Sequence, residues 1–111
     1  MAQITYDYFE KVDIRVGKII KVEDFPKARK PAYKLWIDLG IPGVKKSSAQ
    51  ITKLYSKDDL VGRLIIAVIN FPPRQIAGFS SEVLVLGVVV DNDEVMLVRP
   101  DSDVPLGKRI L

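Results

Sequence analysis

Two stretches of this sequence ask for burial on both faces, and they bracket a segment that cannot be a tight turn. Leu64 to Ile69 is an unbroken apolar run, and Val83 to Val90 is a second, interrupted only by Gly87. Both are rich in Val and Ile, whose branched side chains suit a pleated surface. Neither alternates apolar with polar residues, so neither reads as a strand with one wet face. Between them runs Asn70 to Glu82, too long for a two-residue hairpin. Pro72 and Pro73 fix φ and supply no N–H, so this connection is stiff and extends neither strand ladder. It carries Asn70, Arg74, Ser80, Ser81 and Glu82. A stiff polar loop between buried strands is the first place to look for function.

The rest of the chain supplies partners for these strands. Thr5 to Lys11 predicts a short helix, with Thr5 as N-cap and Tyr6 and Phe9 on one face. Val12 to Val16 alternates strictly, Gly17-Lys18 interrupts, and Ile19 to Val22 resumes, which reads as a strand bent by a bulge. Glu23 to Ala32 holds two prolines and reads as a mobile loop. Tyr33, Leu35, Ile37 and Leu39 recur at period two and point at a core, leaving Lys34, Trp36 and Asp38 on the other face. The single Trp thus falls on a polar face, where it either meets a partner or is covered by another part of the chain. Lys45 to Thr52 predicts a third strand with Lys46, Ser48, Gln50 and Thr52 on its polar side. Ser56-Lys57-Asp58-Asp59 resembles a capping box with Gly62 as terminator, giving one helical turn that turns Leu60 and Val61 inward. Asp91-Asn92-Asp93 marks a hairpin turn into Val95 to Val98. The final Ile110-Leu111 pair is expected to dock.

Strand, strand, strand, short helix, strand, strand predicts an all-β fold. The economical closure is a five-stranded Greek-key OB-fold barrel with terminal extensions, residues 1–111 forming one domain. A barrel core uses one face of each strand, so the surplus apolar face of the last two calls for cover from the chain ends or a second subunit. A homodimer is the favoured expectation.

The absence of Cys and His bounds the chemistry. Thiolate chemistry, Cys-based zinc sites and the commonest neutral-pH acid–base group are all missing. Ser48, Ser80 and Ser81 have no His to activate them, so the chain reads as a binding protein rather than an enzyme, with no cofactor and no metal. No apolar run approaches a membrane span, and Met1 to Glu10 lacks the pattern of a signal peptide, so the expected location is cytoplasmic. The net charge of +3 is modest. Its distribution is not: Lys27, Arg29, Lys30, Lys34, Lys45, Lys46, Lys53 and Lys57 face only Asp38 over that span, whereas Asp91 to Asp103 is acidic. An anionic partner on one side, or a solvated basic surface, fits that asymmetry.

OB-folds bind through the face of strands two and three. Here that face carries Lys34, Trp36, Lys46, Ser48 and Gln50, with Arg74 approaching from the loop. Lysines meeting phosphates and a ring stacking on an unpaired base suit RNA. Trp36, Phe71 and Phe79 could equally line an apolar groove for extended peptide. A third arrangement pairs Arg74 with Glu82 merely to lock the loop.

Several motifs carry a resemblance together. They are Phe9-Glu10-Lys11-Val12-Asp13-Ile14-Arg15-Val16-Gly17, Tyr33-Lys34-Leu35, Tyr55 with Asp59-Leu60-Val61-Gly62, and Asn70 to Gly78 running into Ser81-Glu82-Val83-Leu84-Val85-Leu86-Gly87. The set resembles the tRNA-binding domain family, the OB-fold appended to some aminoacyl-tRNA synthetases. Within it, the match is to small stand-alone members linked to protein export as chaperones. That resemblance implies a homodimer binding unfolded or precursor polypeptides and the export motor SecA. The wider family implies tRNA as a ligand, recognised by shape. Such a module would use Lys34, Lys45, Lys46, Ser48, Arg74 and Ser81, and the family pattern adds Asn70, Gly78 and Glu82. RNA-binding members usually continue Ser-Glu-Gly-Met, where this chain has Val83-Leu84. A stiff branched residue replaces Gly, which removes backbone freedom beside that site.

Overall fold

The computed structural model describes all 111 residues. Its centre is a five-stranded antiparallel sheet in the order β3-β2-β1-β4-β7, curled into a nearly closed barrel. β1 (Ile14–Asp24) is long enough to serve two neighbours. Its first half pairs with β4 (Leu64–Val68), and its second half with β2 (Tyr33–Asp38). β3 (Val44–Ala49) pairs with the far side of β2, and β7 (Leu84–Val85) with β4. One helical turn, α2 (Lys57–Leu60), sits between β3 and β4. The expected OB-fold is therefore present, with α1 (Tyr6–Lys11) ahead of it.

Period-two patterning places the core. Leu35, Ile37, Leu39, Ile19, Ile65 and Leu60 are fully buried together. Tyr33 is buried among them and donates its hydroxyl to the Tyr55 carbonyl at 2.9 Å. Ser56 accepts the Asp59 N–H and Asp59 accepts the Ser56 N–H, so the capping box forms as read from the sequence. Gly62 follows at φ +89°. Val61, however, points out and is half exposed, because a single turn can bury only one side and Leu60 takes it. Thr5 stands at the N-cap of α1 without a side-chain hydrogen bond.

The interruption in β1 has a different cause from the one its glycine suggests. The bulge lies at Ile20, between Ile19 and Lys21, not at Gly17. A Cβ on Gly17 would come within 2.6 Å of Ile37 Cγ2 and 2.9 Å of Leu39 Cδ2. Gly17 thus lets β2 side chains cross the strand closely. The terminal segment does dock, by backbone. Lys108 accepts the Val16 N–H at 3.0 Å, and the Ile110 N–H reaches the Ile14 carbonyl at 2.8 Å, while the Leu111 side chain stays exposed.

Two further corrections concern the bracketed region. The stiff connection contains its own tight hairpin, β5 (Arg74–Ile76) with β6 (Phe79–Ser81), turning at Ala77 (φ +46°) and Gly78 (φ +83°). The apolar run after it is not one doubly buried strand. It divides at Leu86 into β7 and β8 (Gly87–Asp91), and β8 pairs only with β9 (Glu94–Leu97) in a projecting hairpin, its valines exposed.

Candidate functional site

The outer face of β1, β2 and β3 carries a layer of rings and ammonium groups. Register places Lys21, Trp36 and Lys46 side by side across three strands, with Lys34 beside Ser48 in the next row. The β5–β6 hairpin folds onto this face and brings Phe79 edge-on to Trp36, with centroids 5.8 Å apart. Phe25, from the loop expected to be mobile, packs edge-on to Phe79 at 5.5 Å and is buried with Ala32. That loop is pinned by its one aromatic residue.

The lysines sit on the rings. Lys21 Nζ lies 4.5 Å from the Trp36 centroid, Lys34 Nζ 5.0 Å from Phe25 and 5.3 Å from Phe79, and Lys46 Nζ 5.2 Å from Phe79. Each such contact stabilises by about 0.5–1 kcal/mol at a partly exposed site. Phe79 is only 8% exposed, so it supports the layer and offers little surface to a ligand. Trp36 is half-buried, with one neighbour already on its ring. A base stacking there would have to displace Lys21 from that side.

Several polar residues of the loop hold the barrel together. Asn70 donates Nδ2 to the Lys11 carbonyl at 2.8 Å and accepts the Asp13 N–H at 2.9 Å, which ties the end of α1 to the exit of β4. Ser81 Oγ accepts the Ser48 N–H at 3.0 Å. Glu82 Oε1 accepts the Lys46 N–H at 2.9 Å, and the Glu82 N–H returns to the Lys46 carbonyl at 2.8 Å. The lock imagined between Arg74 and Glu82 is absent; Glu82 clasps the edge of β3 instead. Buried Ser47 adds a third clasp, donating Oγ to the Val83 carbonyl at 2.8 Å. Lys45 pairs with Ile37 on the barrel side of β3, so alternation turns it away from Lys34 and Lys46.

These clasps close one end of the seam between β3 and β7. Further along, the seam opens into a groove of about 740 Å³. Its apolar lining includes Ile51, Ile76, Leu84, Val85 and Val95, and its rim Arg29, Lys30 and Arg74. No acidic residue lines it, and none of the three basic side chains is ion-paired. Phe71, 51% exposed, borders a smaller hollow that shares Ser48, Arg74, Ile76 and Leu84 with the groove. Of the predicted aromatic lining, then, Phe71 borders this space while Trp36 and Phe79 stand outside it. The groove was not legible in the sequence, since its walls come from five separated segments.

Titration is perturbed away from this region. The hydrogen bond from Arg15 to Asp13 holds that carboxyl below its ordinary value, and nearby Arg109 adds to the effect. The Ser56 N–H does the same for Asp59. Both mark structural junctions. No helix in the chain is long and apolar enough to cross a membrane.

An OB-fold with a clasped seam and a basic face defines a class of binding domain, and comparison with known proteins places it. Residues 14–109 match the family described as "Putative tRNA binding domain", and the chain belongs to the tRNA-binding domain family. The protein is similar in structure to the chaperone CsaA of Bacillus anthracis (TM-score 0.95, 47% identity, covering 99% of this chain and 100% of that one). It is likewise similar to the CsaA chaperone protein of Picrophilus torridus (TM-score 0.92, 56% identity, 98% and 100%). Among curated relatives, the methionine–tRNA ligase of Thermococcus onnurineus is 39% identical over 107 residues, and that of Methanocaldococcus jannaschii 36% over 110. Those matches cover 96% and 99% of this chain but only 14% and 17% of the ligases. The neighbours are chaperones and tRNA-binding domains rather than catalytic domains.

Proposed function

We propose that the protein is a CsaA-like chaperone that holds unfolded or precursor polypeptides in the seam groove. The observation that carries this reading is the groove itself. Its floor is apolar, its rim is basic, and its volume is in the range of about 300–1,000 Å³ typical of ligand sites. An apolar floor without stacking rings suits side chains better than bases. Likeness to CsaA structures along their whole length supports the same reading. A role in protein export, with SecA as a partner in the cytoplasm, extends it by family resemblance.

The same reading includes a homodimer spanning residues 1–111 as one domain. Val88, Val89 and Val90 on β8 and Met96 on β9 lie exposed on one hairpin. Exposed apolar residues gathered on one projecting hairpin mark it as an interaction site.

A second reading, tRNA binding, is supported by the family match and by Lys34, Lys46, Ser48 and Arg74, whose side-chain ends are not tied up in the clasps. Asn70 and Ser81 would serve it as loop anchors.

Titration with a chemically unfolded precursor polypeptide and with deacylated tRNA, each at low and moderate salt, tests both. Polypeptide binding that falls less with salt than tRNA binding does, and is lost in Leu84→Asp, a substitution on the groove wall, is the expected result. Phosphate contacts make tRNA binding fall steeply with salt. Binding of tRNA alone, abolished by Arg74→Ala and untouched by Leu84→Asp, would overturn the chaperone reading.

A further inference from the structure

β3 ends with an open edge, and that edge is one wall of the groove. Residues of β3 alternate between facing β2 and facing the seam. Lys46 faces the seam, since both its main-chain groups meet Glu82 there, and so does the N–H of Ser48, which meets Ser81. The carbonyl of Ser48 faces the same way by alternation, and Gln50 continues it. Neither main-chain group of Gln50 has a hydrogen-bond partner within the chain. Ser48, Ala49, Gln50 and Ile51 all border the groove. Main-chain groups left open beside an apolar floor form a template for one more strand.

We infer that polypeptide enters the groove as an added β-strand on the free edge of Ser48 to Ile51, with apolar residues at every second position and carboxylates beside them. This rests on the chaperone reading and names its mode of recognition. Main-chain pairing is blind to sequence, which suits a protein that takes many unfolded clients. The alternating side chains would drop toward Ile51, Ile76 and Leu84. Charge complementarity selects the rest: Arg29, Lys30 and Arg74 border the groove unpaired, with no acid among its walls. RNA fits this wall less well, because open amide and carbonyl groups in strand spacing match a peptide's own repeat.

The experiment uses the full chain and a fluorescein-labelled, N-acetylated heptapeptide alternating Val with Glu, followed by anisotropy at low salt. Two further peptides carry N-methyl groups on either the Val amides or the Glu amides, which point to opposite edges of a strand. One methylated peptide should bind at least tenfold more weakly and the other near the parent. A peptide with Lys in place of Glu should also lose at least tenfold. Gln50→Pro, which removes the edge N–H, should weaken the parent peptide tenfold, whereas Gln50→Ala should not.

Equal effects of the two methylation patterns, with the parent peptide still bound and still lost in Leu84→Asp, would overturn strand addition and leave the groove as a polypeptide site. No binding of the parent peptide would overturn both. So would capture of a single-stranded oligoribonucleotide in its place, lost in Arg74→Ala. The peptide arm stands even if Gln50→Pro does not fold.

Discussion

β4 and β8 are both built around runs of apolar residues, and they live in opposite surroundings. Ile65, Ile66, Ala67 and Val68 are all buried, while Val88, Val89 and Val90 are 56%, 76% and 58% exposed. β4 has β1 on one edge, β7 on the other and the core against it; β8 has only β9. Hydropathy states that a strand needs cover and is silent on where the cover comes from. For β4 it comes from the chain itself. For β8 the proposed source is a second copy.

The contrast can be broken by substitution. The largest effect should come from Ile65→Ala, which leaves a cavity in a fully buried site; about 3 kcal/mol of unfolding free energy should be lost in a urea titration. Gly17→Ala comes next. Its methyl group has to push Ile37 and Leu39 aside, and such overpacking costs about 1–3 kcal/mol, seen as a lower thermal midpoint. Ser56→Ala removes one half of the capping box of the turn that leads into β4 and should cost about 1 kcal/mol. On β8, Val89→Asp should change the stability of the separated protomer by no more than about 0.5 kcal/mol. Sedimentation should nevertheless show the assembled mass falling to that of one chain. A large loss of protomer stability, or an unchanged mass, would sink the idea that a second copy covers this hairpin.

Acid sharpens the comparison from the β4 side, where the Asp13 N–H donates to Asn70 Oδ1 and the Asp13 carboxylate accepts from Arg15. The folded value of Asp13 lies below the ordinary one near 3.8, so its contribution is present in full above that value. As the pH falls below it, the unfolded chain takes up the proton first, and the contribution is lost on approaching the folded value. Asp13→Asn should flatten this part of the stability profile, read as thermal midpoint against pH, and leave the neutral-pH slope unchanged.

What the sequence disclosed follows the range of the interactions involved. The core face of β2, the Ser56–Asp59 box and the turn at Asp91 to Asp93 rest on neighbours a few residues away, and they stand where the residues put them. The β5–β6 hairpin was hidden because its arms are three residues long and its turn is Ala77-Gly78 in place of a strong Asn-Gly signal. Gly17 signalled something unusual in β1, but glycine serves close approach as readily as a bulge, and only Ile37 and Leu39 overhead decide which. The groove lay beyond reach for a similar reason. Ala28, Ser48, Arg74, Leu84 and Val95 meet only after the barrel has curled.

The three clasps at Lys46, Ser47 and Ser48 give the barrel one compliant line along its length. Elsewhere its girth is held by main-chain ladders between paired strands. Here the ties at Ser47 and Ser48 are single side-chain bonds, and only Lys46 adds main-chain bonds, from Glu82 and Val83, so the seam is the easiest line to open. Amide hydrogens of Lys46 and Ser48 should therefore exchange faster than those of Leu35 and Ile37 across the sheet. The barrel can change its circumference at one place while the rest of its hoop stays rigid.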